Sequence, residues 1–137
     1  MNSEYSIAVH VLSLLNQQGT PKSSEHLAGS VGVNPVVIRN VTGLLRRGGL
    51  LETRRGVAGA RLTRPAEQIS LLEVYRAVQA PESVLKVHQK PNPNCPVGAR
   101  IQCVLDDVFG QAQAAMEAEL ARVKLSDVTT ALEIPAT

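Results

Sequence analysis

At 137 residues and 44% apolar side chains, the chain is long enough for one packed domain with room for an appended oligomerisation element. Aromatics are only 2%, so the core must be aliphatic, and single-strand binders that stack bases on aromatic platforms are disfavoured. The net charge of +2 hides an asymmetry: residues 39–64 hold seven arginines against the single acid Glu52, a local charge of +6, which leaves −4 for the remainder.

The first predicted helix runs from Ser3 to about Gln17, with Ile7, Ala8, Val11, Leu14 and Leu15 as one apolar stripe, and Gly19-Thr20-Pro21 ends it. Ser23 or Ser24 caps the next helix, Glu25 suits its first turn, Leu27, Ala28 and Val31 face inward, and Gly32 makes the turn. Asn34-Pro35 starts a third helix, with an N-cap side chain and proline at the first helical position. Its buried stripe is Val37, Ile38, Val41, Leu44 and Leu45, which leaves Val36, Arg39, Asn40, Gly43 and Arg47 on the outer side. Gly48-Gly49 stops it.

Two short strands follow, Leu50–Arg54 and Ala60–Thr63, around a tip of Arg55-Gly56-Val57-Ala58-Gly59. Pro65 opens a helix with Leu71, Leu72, Tyr75 and Val78 apolar, expected to pack under this ribbon. Residues 81–96 form a proline-rich linker, and a long helix from Val97 to Lys124 carries Ile101, Val104, Leu105, Val108, Ala112, Ala115, Met116, Leu120 and Val123 in a repeating stripe. A helix of about 28 residues would be about 42 Å long and would overhang its own domain, which calls for a second copy as partner. Ser126-Asp127 caps a last short helix through Leu132. The expected division is 1–80 as a DNA-binding domain, 81–96 as linker and 97–137 for dimerisation with the short C-terminal helix.

Two short helices joined by a glycine turn, then a ribbon with arginines at its tip, give the order of a winged helix-turn-helix: mostly α with a small β-wing. Arginine suits bidentate contacts to phosphate and guanine, and asparagine can bond an adenine edge. The candidate DNA-binding residues are Val36, Arg39, Asn40, Gly43, Arg46, Arg47, Arg54, Arg55 and Arg61, with Gly43 allowing close approach of the helix. A two-fold dimer then implies a palindromic operator on double-stranded DNA.

The same ordered set resembles the BadM/Rrf family of bacterial winged-helix repressors over nearly the whole chain. It comprises the opening helix, Leu27-Ala28 to Gly32-Val33, Asn34-Pro35, Gly49-Leu50-Leu51, the wing Arg54-Arg55-Gly56 to Gly59, and the long helix after the linker. The stretch Pro91-Asn92-Pro93-Asn94-Cys95-Pro96-Val97-Gly98 resembles the family's YwnA-like branch. The resemblance implies a transcriptional repressor. Two departures stand out. The family's wing commonly carries Gly-Gly-Tyr before its closing Leu, where this chain has Gly59-Ala60-Arg61-Leu62. Iron–sulfur members carry three clustered cysteines near the start of the long helix, whereas this chain has only Cys95 and Cys103. A cluster generally needs four protein ligands, so no cofactor is expected within one chain, with a site shared across a dimer left open.

Cys95 stands just before the expected helix N-terminus, where thiolate is favoured, and is the candidate redox-sensing residue. Cys103, about two turns in, reads either as a small core residue or as a second redox thiol, too far from Cys95 for an intrachain disulfide. His10, His26 and His88 lack metal-ligand spacing, and neither Asp106-Asp107 nor Glu117 with Glu119 makes an acid–base pair, so no enzyme is expected. No apolar run reaches the roughly 18 residues of a membrane helix, and Glu4 stands where a secretory leader would be basic, so the expected location is the cytoplasm. Two other readings stay open: a small-molecule-responsive repressor with inert cysteines, and a protein-interaction adaptor that keeps the fold without binding DNA.

Overall fold

The computed structural model describes residues 3–18, 22–78 and 84–132. The expected helix terminator Gly19-Thr20-Pro21 and the first linker residue, Pro81, lie outside them. The chain order is α1 (Glu4–Gln18), α2 (Ser24–Val31), α3 (Pro35–Arg47), β1 (Leu51–Arg54), β2 (Val57–Leu62), α4 (Leu71–Ala77), α5 (Ile101–Arg122) and α6 (Leu125–Ala131), with a 3₁₀ turn at Ala66–Gln68. Two compact units emerge, one from Met1–Ala80 with Ala121–Thr137 and one from Pro81–Leu120.

In the first unit the core is aliphatic, as the composition requires. Ala8, Val11, Leu12 and Leu15 of α1 meet Leu27 and Ala28 of α2, and Ile38, Val41 and Leu45 of α3. Leu50, Leu51, Ile69, Val74 and Leu125 complete it. Each fully buried Leu or Ile contributes about 1.5–3 kcal/mol relative to exposure. The inward face of α1 includes Leu12, which the expected stripe omits, while Ile7 and Leu14 are only half-buried.

The ends of α2 and α3 follow local chemistry. The Ser23 side chain accepts the His26 backbone N–H, and Gly32 closes α2 in the left-handed region at φ +82°. The Asn34 side chain accepts the Val36 N–H at 2.8 Å, with Pro35 at the first helical position. Pro65 opens the 3₁₀ turn rather than a helix. The start of α4 is set instead by a capping box: Ser70 accepts from the Glu73 N–H, and Glu73 accepts from the Ser70 N–H. The principal neighbours of α4 are α1 and α3, not the ribbon expected above it. Tyr5 holds this corner, donating to the Leu71 carbonyl at 2.6 Å and meeting the Tyr75 ring edge-on at 5.3 Å. Its phenol is pushed up to about 12 by burial, with Tyr75 adding to the effect.

The C-terminal segment departs from the expected division. It packs with the first unit, where Leu125 is fully buried. The Leu71 N–H donates to the Val123 carbonyl at 2.9 Å, and the Leu125 N–H to the Ile69 carbonyl at 2.8 Å. Lys124 is the N-cap, and Asp127 accepts its backbone N–H at 2.8 Å from the third helical position, so Ser126 and Asp127 lie inside α6.

In the second unit, residues 96–100 form turns, and α5 begins at Ile101 rather than Val97. It spans 22 residues, about 33 Å. The segment from Val84 runs beside it, where the Val84 N–H donates to the Gln113 side chain at 3.0 Å. No residue of α5 is buried, and Val104 and Val108 are 56% and 54% exposed.

Candidate nucleic-acid interface

The apolar stripe of α3 is turned into the core by Ile38, Val41 and Leu45, and this fixes which side chains face out. Val36, Arg39, Asn40, Arg46 and Arg47 are exposed, with Val36 at 54%. Gly43 is not on the open side as expected. It is buried, and the guanidinium of Arg47 lies 3.7 Å from where a Cβ would stand. The nearest acid to Arg39 is Glu25 at 3.9 Å, with both side chains largely exposed. Such a pair contributes little and yields readily to a competing anion.

The wing is an antiparallel pair in which Leu51 faces Leu62, Glu52 faces Arg61 and Thr53 faces Ala60. The register slips between Thr53 and Arg54, which pairs with Val57, so the tip is shorter than expected and β2 carries a bulge. Alternation sorts the side chains: Leu51 and Thr53 share one face, and Glu52 and Arg54 the other. On that second face Glu52 reaches two cations, Arg61 Nε at 3.3 Å and Arg54 at 3.7 Å. Arg55 is exposed at the turn. Arg64, counted in the basic run, is committed elsewhere: it pairs with Glu73 and donates to the Gln68 carbonyl at 2.6 Å.

Sequence reading missed Lys22. It forms a third rung on the wing, exchanging both backbone hydrogen bonds with Ala60 at 3.2 and 3.1 Å. The fit demands Gly59, whose φ is +92° and whose Cβ would stand 2.6 Å from the Lys22 nitrogen. Lys22 is only 7% exposed, and burial lowers its ammonium pKa. Between α3, the start of α2 and the wing lies a cleft of about 510 Å³ lined by Lys22, Ser24, Arg39, Thr42, Arg46 and Thr53, among others. Gly59 in the wing was the available signal, but a pairing across 38 positions is not visible in local spacing.

Both cysteines are exposed and free, so Cys103 is not a core residue. Cys95 sits in a turn where Asn92 caps the Asn94 N–H at 3.0 Å and the Cys95 N–H donates to the Asn92 carbonyl at 3.2 Å. Backbone N–H groups of Gly98 and Val97 directed at its sulfur lower the thiol pKa. The expected direction holds, but the donors belong to the turn before α5 rather than to the first turn of the helix. Close packing at Gly98 defines this turn, since a Cβ there would come within 2.3 Å of the Asn92 carbonyl oxygen.

Residues 1–131 match the model of the Rrf2 family, described as "Iron-dependent Transcriptional regulator". The chain is 49% identical over 128 residues to YwnA of Bacillus subtilis (strain 168), provisionally named an HTH-type transcriptional regulator, covering 93% of this chain and 96% of YwnA. A crystal structure provisionally described as a DNA binding protein is 47% identical, with a TM-score of 0.76, over 92% of this chain and 98% of that one. CymR, the global cysteine regulator of B. subtilis, shares the fold at a TM-score of 0.71 and 17% identity, over 95% of each chain. The residues of a single chain do not fit the iron of the family description. The chain has two cysteines, and among the described residues no three His, Cys, Asp or Glu side chains come together to hold a metal ion. Nor is any helix among them long and apolar enough to cross a membrane. The family is one of regulators rather than enzymes, and on a match spanning residues 1–131 this chain belongs to it: it is a transcriptional regulator of the Rrf2 family.

Proposed function

We propose that the protein is a cytoplasmic repressor that binds a palindromic operator as a homodimer. In this reading α3 enters the major groove, and the wing lies beside it. The supporting observation is the outer face of α3, where four polar or cationic side chains and Val36 stand exposed while Ile38, Val41 and Leu45 on the opposite face are fully buried. Arg39, Arg46 and Arg47 suit phosphate or guanine, Asn40 an adenine edge, and Val36 a thymine methyl. At the wing, Arg54, Arg55 and Arg61 supply backbone or minor-groove contacts. Gly43, covered by Arg47, contributes only if that side chain swings away to a phosphate.

A second copy is the occupant proposed for α5. Its 22 residues carry Val104 and Val108 uncovered, and Val97 in the preceding turn is 66% exposed. An apolar stripe at helical spacing gains most by pairing with its own symmetry mate. Two-fold pairing duplicates the reading head, and this is what requires a palindrome.

Release by oxidation is the proposed signal. A thiol with a lowered pKa holds more thiolate at neutral pH. The thiolate attacks a peroxide oxygen, the S–O bond forms as the O–O bond breaks, and hydroxide leaves, giving sulfenic acid at Cys95. Cys103, exposed on α5, is the second candidate thiol: its attack on that sulfenic acid in the partner would form a disulfide between subunits and release water. The test is a mobility shift on DNA upstream of the protein's own gene, with and without peroxide. The wild type binds and is released, whereas Cys95→Ser binds and stays. Normal release of Cys95→Ser would remove the redox reading, and absence of binding would favour the adaptor.

A further inference from the structure

When a helix lies in a major groove and a wing in the adjacent minor groove, one sugar–phosphate strand must pass between them, because that strand is the wall the two grooves share. The space available to it is whatever gap the protein leaves between helix and wing. Here that gap is the cleft of about 510 Å³, whose lining sets Lys22, Arg39 and Arg46 with Ser24, Thr42 and Thr53 beside the apolar Leu27, Leu51 and Ala60. The wing's other face is different, since there Glu52 already partners Arg54 and Arg61.

We propose that this cleft seats one phosphodiester of the duplex backbone, with Lys22 as a phosphate-binding residue beside Arg39 and Arg46. The assignment rests on the reading of α3 and the wing as a DNA interface, and it makes Lys22 the residue that fixes the register between them. Three features of the fold serve that role. The paired backbone hydrogen bonds to Ala60 tie Lys22 to β2, so its position moves with the wing. Gly59 permits that close approach. Arg39 is paired with the exposed Glu25 at a loose 3.9 Å and is readily recruited to a phosphate. Burial disfavours the charged form of Lys22, and an anion in the cleft offsets that cost.

The test uses the full-length protein and a duplex from upstream of its gene, with single phosphates replaced by neutral methylphosphonates. Lys22→Met keeps the apolar stem and removes the charge. It is expected to weaken binding roughly tenfold or more and to lower the salt slope by about 0.9 per site. One methylphosphonate position per half-site should weaken the wild type at least as much as Lys22→Met does and should weaken Lys22→Met by clearly less. Arg46→Gln, at an exposed position, should show the same reduced effect at that position, which keeps the test decisive if Lys22→Met folds poorly. Inorganic phosphate should displace the duplex no better than chloride at equal ionic strength. Selective displacement would mark a seat for a free phosphate ligand and overturn the assignment. So would a Lys22→Met protein with wild-type affinity, salt slope and methylphosphonate profile. A wild type that binds no duplex at all would overturn the DNA interface itself, a different result from wild-type binding with an indifferent Lys22→Met.

Discussion

Glu52 is the one acid within the arginine run, and it holds two of the wing's cations, Arg61 at 3.3 Å and Arg54 at 3.7 Å. Those pairs are partly exposed, so they add little to stability, but the carboxylate repels any phosphate that approaches the same face. Glu52→Gln is therefore expected to leave the melting temperature nearly unchanged and to tighten duplex binding several-fold at low salt, as a filter-binding titration would read. Weaker binding would mean that Glu52 orients the arginines rather than competing for them. Gly59 supports a prediction of the opposite kind. Gly59→Ala places a Cβ against the Lys22 backbone at φ +92°, and the conformation alone costs about 1–2 kcal/mol. Thermal unfolding should show at least that loss, and an unchanged melting temperature would remove the Lys22–Ala60 rung from the account.

Local chemistry at the element ends was open to sequence reading. Ser23, Gly32 and Asn34-Pro35 act through hydrogen bonds within four residues, and each sets a helix end where its side chain or backbone freedom says it should. Much of the outer face of α3 was legible for the same reason, because burial of Ile38, Val41 and Leu45 decides it. What failed was long-range. Apolar periodicity ran on through Val97, but the Pro96-to-Arg100 segment turns before α5 begins, with the Ala99 N–H donating to the Cys95 carbonyl and the Arg100 and Ile101 N–H groups to the Val97 carbonyl. The docking of Leu125 into the first unit and the Lys22 rung depend on partners dozens of positions away. Leu125→Ala tests the former: it should cost about 2–5 kcal/mol in denaturant unfolding, whereas a C-terminal helix outside the core would tolerate it. The α4 cap supports a pH prediction. Burial would raise the Glu73 carboxyl, but the Arg64 hydrogen bond, the Ser70 backbone hydrogen bond, the Arg64 charge and the Ser70 hydroxyl together hold it below its usual range. A carboxyl lowered in the folded state stabilises above its unfolded value, and that stabilisation is lost as pH falls below about 4. With 40% of the Glu73 side chain exposed, the pair contributes about 0.5–1 kcal/mol at neutral pH. Wild type and Glu73→Gln should differ by that amount at pH 7 and converge in acid; a constant difference would exclude the ion pair as its source.

At the scale of the whole molecule, the arginine run of residues 39–64 belongs to the first unit, while most of the exposed valines, Val84, Val97, Val104 and Val108, lie in the second. This separation suits a regulator whose reading head and pairing element are distinct. Sedimentation should show a dimer that Val104→Glu with Val108→Glu converts to monomer without unfolding the first unit, and a wild-type monomer would break the link to a palindromic site. The central claim is that the arginines of α3 and the wing meet the phosphates of a duplex. Its most direct measurement is the salt dependence of binding to DNA upstream of the gene, for the wild type and for Arg54→Ala with Arg55→Ala. The account predicts that log affinity falls linearly with log salt, and that the double variant loses about one unit of slope for every phosphate contact removed. Superimposable lines for the two proteins would contradict it.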